Sequence, residues 1–196
     1  MTVGCVIGVA VVSACGTKTS SFGSASVAEG CRVGSEITAQ GSTKSYIVRL
    51  DIGPVETMYT QAEADSNHPS QGEVTLRGQM SALPGNGGNA TASGHHLDAH
   101  ICSKAGGAVI QDADPTITLR DDATGASQDV QIAVMQGVGA DVGDLHYGNN
   151  VTLIPGASYR VTVSLNGETA ILHIQMRSDA GTGTIASQVT DMRGMP

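Results

Sequence analysis

An all-β sandwich is the fold this sequence predicts, and three observations predict it. Short runs alternate apolar and polar residues, which is the two-residue period of a half-buried strand. Clusters of turn residues separate these runs, in a chain that carries 26 glycines among 196 residues. Two of the runs, 159–165 and 168–176, flank Asn166-Gly167, and Asn-Gly between alternating runs is the strongest short hairpin signal.

The N-terminus reads as an export signal. Residues 2–14 are nearly all small and apolar, a stretch too short to span a bilayer. They end in Val12-Ser13-Ala14-Cys15, which resembles a bacterial lipobox. In that motif the cysteine is acylated and becomes the first residue of the mature chain, so Cys15 is the expected lipidation site. The positive charge that usually opens such a signal is missing here. Residues 1–14 are thus expected to be a lipoprotein signal peptide. Residues 15–43, rich in Ser, Thr, Gly and Ala, are expected to be a flexible tether.

The folded domain is expected over residues 44–178. Its strands are read at 45–51 (SYIVRLD), 73–80 (EVTLRGQM), 95–103, 116–120 (TITLR), 129–135 (DVQIAVM), 159–165 and 168–176. A Gly/Asn/Pro loop fills 83–93, and only 60–64 hints at a short helix. The total is about seven to nine strands. Residues 179–196 lose the period and are expected to be a disordered tail.

Composition narrows the function. Trp is absent and Phe occurs once, so Val, Ile, Leu, Ala and Tyr must build the core. The formal charge is −8, with no basic stripe to neutralise phosphates, which argues against nucleic acid as a partner. Asp114, Asp121, Asp122 and Asp129 read as a solvated acidic surface. Neither Gly-x-Ser-x-Gly nor His-Glu-x-x-His occurs, which disfavours a hydrolase. With Cys5 removed with the signal and Cys15 lipidated, Cys31 and Cys102 remain as an even pair in an oxidising compartment, and a disulfide between them is expected.

The chemistry gathers in two segments. In His95-His96-Leu97-Asp98-Ala99-His100-Ile101, the alternation places Leu97, Ala99 and Ile101 on one strand face. His96, Asp98 and His100 then share the other, about 7 Å apart at a rise of ~3.3 Å per residue. Two imidazoles and a carboxylate in a row suit a divalent transition metal. His95 is expected on the core side. The second segment is Asp144-Leu145-His146-Tyr147-Gly148-Asn149-Asn150-Val151, read as a loop His146 ahead of a strand, with Tyr147 inward and Gly148-Asn149 in a tight turn. Met135 ends an apolar strand, where methionine commonly fills core. His173 alternates with Leu172 and Ile174 in the last strand. Glu56 and Met58, in a turn-like stretch, are weaker candidates, and His68 has no visible partner.

The segments HHLDAHI and LHYGNNV resemble the periplasmic high-affinity iron-transport family, exported copper-binding proteins with an immunoglobulin-like β-sandwich, often encoded beside iron permeases. The likeness covers most of residues 44–176, and HYGNNV is its most specific part. It implies a copper site formed by His96, Asp98, Met135, His146 and His173. Asp98 stands where the family has Glu, and His100 where it has Asp. Met135 matches in kind, and His173 by position alone. The family keeps copper as a resident ion and handles iron through a nearby or altered site. The resemblance therefore implies a lipid-anchored, extracytoplasmic protein with metal ions as ligands, a membrane iron permease as partner and no enzymatic activity of its own. A homodimer is left open. The alternatives are a structural or adhesive sandwich lipoprotein without metal and, further off, an enzyme of Cu,Zn superoxide dismutase type, for which the His-x-Asp-x-His spacing lacks the expected clustering.

Overall fold

The computed structural model of the chain describes residues 31, 39–81, 93–178 and 186–188. The expected signal peptide, Cys15 and most of the tether and tail lie outside them. The expected sandwich is present. Twelve strands among the described residues, against the seven to nine expected, form two sheets. The strands are β1 (Ala39–Ser42), β2 (Tyr46–Pro54), β3 (Met58–Thr60), β4 (Glu73–Gly78), β5 (Ser93–Ser103), β6 (Thr116–Asp121), β7 (Ser127–Asp129), β8 (Ala133–Gly137), β9 (His146–Leu153), β10 (Ser158–Leu165), β11 (Glu168–Gln175) and β12 (Ala186–Gln188). The larger sheet runs β1-β2-β5-β9-β8-β4-β3 and the smaller β12-β11-β10-β6-β7. All neighbours are antiparallel except the parallel pair β3–β4.

One apolar core joins the two sheets. Leu50, Leu97, Ala99, Ile101, Tyr147 and Leu153 of the larger sheet meet Ile117, Leu119, Val161, Val163, Leu172 and Ile174 of the smaller. These are the alternating positions of each strand, so the period of two read in the sequence is the period of burial. Tyr147 spends its hydroxyl inside this core, donating to the Ile110 carbonyl at 2.5 Å and accepting from Ala113 N–H at 3.1 Å. The hairpin between β10 and β11 is closed by the Leu165–Glu168 pair, with Asn166 and Gly167 at φ 51° and 78°. Two consecutive positive φ values are what a type I′ turn requires. The short helix α1 (Gln61–Asn67) opens on a capping box, in which Thr60 and Glu63 each bond the other's backbone N–H. No helix among the described residues is long and apolar enough to cross a membrane.

Three expectations are corrected. The run 129–135 is not one strand. It divides between β7 in one sheet and β8 in the other, because the chain crosses the sandwich at Gln131, whose carbonyl accepts from the buried Asn149 amide at 2.9 Å. Alternation continues through such a crossing and conceals it. The tether contains β1, which pairs with β2 and buries Ala39, and Cys31, which is buried as well. The tail contains β12, paired to β11. Both edge strands are held by backbone pairing, which leaves little mark on side-chain pattern.

The larger sheet is strongly curled. β2 and β3 lie five strand spacings apart, about 24 Å if the sheet were flat. The chain from Pro54 to Met58 has four steps and reaches ~14 Å at most. The sheet must therefore roll until its edges approach. The link passes over the face opposite the core, since the backbone N–H and C=O of Glu56 bond the side chain of Asn150 there, at 3.4 and 3.2 Å.

Cys31 and Cys102 form the expected disulfide, with Cα atoms 5.8 Å apart and 71 residues of separation. It ties Cys31, ahead of β1, to β5. Cross-linking a loop of this length restricts the unfolded chain strongly. A Cys31→Ser, Cys102→Ser double variant is expected to lose about 2–5 kcal/mol of unfolding free energy in denaturant titration. Alkylation of Cys31 and Cys102 themselves in the unreduced protein, read by peptide mass spectrometry, would show the bridge absent.

Candidate metal centre

β5, β9 and β4 bring the site together on the concave face of the curled sheet. In β5, Leu97, Ala99 and Ile101 point into the core, which turns His96, Asp98 and His100 the other way. β9 lies alongside, with His96 opposite Asn150 and Asp98 opposite Gly148. His146 is the first residue of β9, not a loop residue, and Gly148-Asn149 lie within that strand, not in a turn. Gly148 is needed there. A Cβ at that position would run into the Leu97 carbonyl, so only glycine lets β9 lie this close to β5 opposite Asp98. Met135 of β8 stands opposite His146, and Glu73 and Thr75 of β4 stand opposite Gly137 and Met135.

Four donor atoms converge. His96 Nε2 is 2.9 Å from Asp98 Oδ1, and His146 Nε2 is 3.3 Å from the same oxygen and 3.4 Å from Glu73 Oε2. All four atoms are buried and none has a hydrogen-bond partner of acceptable geometry. Burying four such atoms without well-formed hydrogen bonds is costly unless their charges, or a bound ion, satisfy them. Ligands about 2.0–2.2 Å from a common ion in tetrahedral or planar array lie roughly 2.9–3.5 Å from one another. The observed separations fit that range. Glu73, His96 and His146 form a mutual set within 4.8 Å, and Asp98 Oδ1 adjoins the two imidazoles.

Hydrogen bonds at Nδ1 orient both imidazoles. His146 Nδ1–H donates to the Asp144 carbonyl at 2.8 Å, which turns Nε2 toward the other donors. Asn150 Nδ2 donates to the Glu56 carbonyl and to Met58 Sδ, at 3.2 and 3.4 Å. Its Oδ1 is thereby left to accept from His96 Nδ1 at 2.8 Å. Such outer bonds fix the tautomer and orientation of ligating histidines. Glu56 and Met58, weak candidates as ligands, act through Asn150.

The electrostatics are those of a crowded, buried acid–base cluster. Burial pushes the Glu73 carboxyl up to about 7, against the attraction of His146. Burial disfavours charge on His96, but the adjoining Asp98 carboxylate, with Asn150 and Glu73, outweighs it and carries the imidazole up to about 9. Burial also works against the Asp98 carboxylate, yet the charge of His146 and the close approach of His96 hold it below the usual carboxylate range. His100 is pushed down by burial and then by the charge of His146.

Of the expected ligands, His96, Asp98 and His146 are brought together. Met135 is fully buried on the same face and lies outside the apolar core cluster, as a side chain of the concave interior does. His173 is a correction. It belongs to β11 of the smaller sheet, where Leu172 and Ile174 take the core-facing positions and His173 faces outward, 4.0 Å from Asp122. A histidine alternating with core residues on the second sheet points away from both interiors. His95 takes the Leu97 side of β5, as expected, and is half-buried. Glu73 is the candidate ligand the sequence reading missed. It opens the run EVTLRGQM as an ordinary polar residue. Nothing in the sequence reveals that β4 lies two strands from β9, across the side-chain-free Gly137.

Comparison with protein-family models, with curated proteins and with solved structures finds no match. The centre therefore stands on its geometry.

That geometry sets a pH dependence. His96 has a folded pKa raised to about 9, above the ordinary ~6.5 of the unfolded chain. Its contribution is fully present below pH ~6.5 and is lost as pH rises through 9. Metal-free protein is expected to lose on the order of 1–3 kcal/mol between pH 7 and 9. Thermal melts at the two pH values, in chelator, check this. Equal stability would show that the His96–Asp98 pair is not formed.

Proposed function

We propose that this chain is an exported, lipid-anchored protein that binds a divalent transition metal through His96, Asp98, His146 and Glu73. The observation that carries the reading is the clustering of buried donor atoms of Glu73, His96 and His146 within 4.8 Å of one another, with Asp98 Oδ1 beside both imidazoles. Two imidazoles suit copper, zinc, iron and nickel alike, and two carboxylates balance a divalent charge. Cu(II) is the ion such nitrogen–oxygen sets hold most tightly among the first-row divalent metals, and the sulfur of Met135 on the same face suits the reduced ion. The resemblance of HHLDAHI and LHYGNNV to copper-binding iron-transport proteins extends the reading to iron acquisition beside a membrane permease. Those two stretches are adjacent strands here, paired through His96–Asn150 and Asp98–Gly148.

Purified without a histidine tag, the wild type is expected to bind one Cu(II) with nitrogen hyperfine structure in its electron paramagnetic resonance. His146→Ala should weaken binding at least 100-fold and Glu73→Gln about 10–100-fold, with the β-sheet circular dichroism unchanged. His173→Ala should leave binding within twofold. Absence of stoichiometric metal in the wild type would favour a purely structural sandwich.

The anchor is tested separately. Cys15→Ser is expected to move the protein from the membrane fraction to the soluble one, and unchanged fractionation would refute lipidation at Cys15.

A further inference from the structure

His100 is a third imidazole beside the centre, and no part of the ligand set uses it. Its ring centroid lies 5.3 Å from that of His146, in an edge-on contact. His100 Nδ1–H donates to the Leu145 carbonyl at 3.3 Å, while the preceding carbonyl, Asp144, holds His146 Nδ1. Two successive carbonyls thus fix two neighbouring imidazoles in the same tautomer, each with Nε2 free to ligate. A surface histidine without a task has no need of that restraint.

Exposure separates the two. The side chains of His96 and His146 are 1% and 3% exposed, whereas Glu73 and Asp98 reach 13% and 20%. His100, two residues beyond Asp98 on the same face, is only partly buried. The His96 end is closed by Asn150 and the Glu56 backbone. The other end of the row, at Asp98 and His100, is the more exposed one.

We propose that His100 is the transfer ligand of the centre, taking a hydrated metal ion at the mouth and passing it to Asp98 and His146. The proposal rests on the metal-binding reading above. An ion entering a nearly closed site must give up its water, and giving it up one ligand at a time lowers the barrier. A partly exposed imidazole in ligating form, next to Asp98, allows that exchange. A ligand used in passage and not in the final complex changes entry and exit by the same factor, because both cross the same barrier.

The test is stopped-flow uptake of Cu(II) by the metal-free protein and its release to excess chelator, beside equilibrium affinity by competition. His100→Ala is expected to slow both uptake and release tenfold or more, with affinity within threefold of wild type. His100→Asp, which keeps a ligating group at the mouth, should recover most of the rate. His100→Asn should not, and it serves as the slow variant if the alanine protein folds poorly by circular dichroism. Unchanged rates in His100→Ala would overturn the transfer role. So would a tenfold loss of affinity expressed in release alone, which would make His100 a resident ligand. A wild-type chain that binds no Cu(II) would overturn the metal reading and this inference together, whereas failure confined to the His100 variants would overturn only the inference.

Discussion

The link from Pro54 to Met58 is too short to cross a flat seven-stranded sheet, and the rest of the site depends on that constraint. In an ordinary sandwich the outer face of a sheet is wet, and a row of His96, Asp98 and His100 there would be three solvated side chains. Here the sheet rolls away from the core and the link lies over its concave side. The molecule consequently has two interiors. One is apolar and lies between the sheets. The other is polar and lies inside the curl, where His96 and His146 are as buried as core leucines.

Burial in that second interior turns loose ligand candidates into a preorganised set. Asn150 and the Asp144 carbonyl hold the imidazoles by their outer nitrogens. Gly148 lets β9 approach β5 closely enough for the inner nitrogens to reach Asp98. The two carboxylates place up to two negative charges in a dry space, and something positive must answer them. Without an ion, protons do so, which is why Glu73 and His96 both hold their protons to higher pH than usual. In the proposed centre a bound metal would take the place of these protons.

Much of this was legible in the sequence, and the boundary of what was not is physical. The alternation in 95–101 assigned Leu97, Ala99 and Ile101 to the core and His96, Asp98 and His100 to the opposite face, because strand geometry leaves no other choice. Asn166-Gly167 specified its own hairpin for the same local reason. Glu73 and His173 went wrong together, because strand order is a long-range property. A polar residue in a strand states its face relative to its neighbours and says nothing of which strand lies alongside. His173 had the local pattern of a ligand on the wrong sheet, whereas Glu73 had no distinctive pattern in the right one. β1 and β12 were missed because backbone pairing at an edge demands little of side chains.

The place of Met135 bears on what the centre prefers. It is completely buried yet stands apart from the core cluster, opposite His146 and beside Thr75, whose buried hydroxyl has no partner. A methionine that only filled space would be expected among the leucines and valines between the sheets. Met135 belongs to the same sheet face as the candidate donors, where it adds a soft, polarisable thioether. Hard carboxylates favour the oxidised, doubly charged ion, and a thioether favours the reduced one. A centre that offers both from the same wall suits an ion that changes oxidation state in place, which is a property of copper and iron and not of zinc.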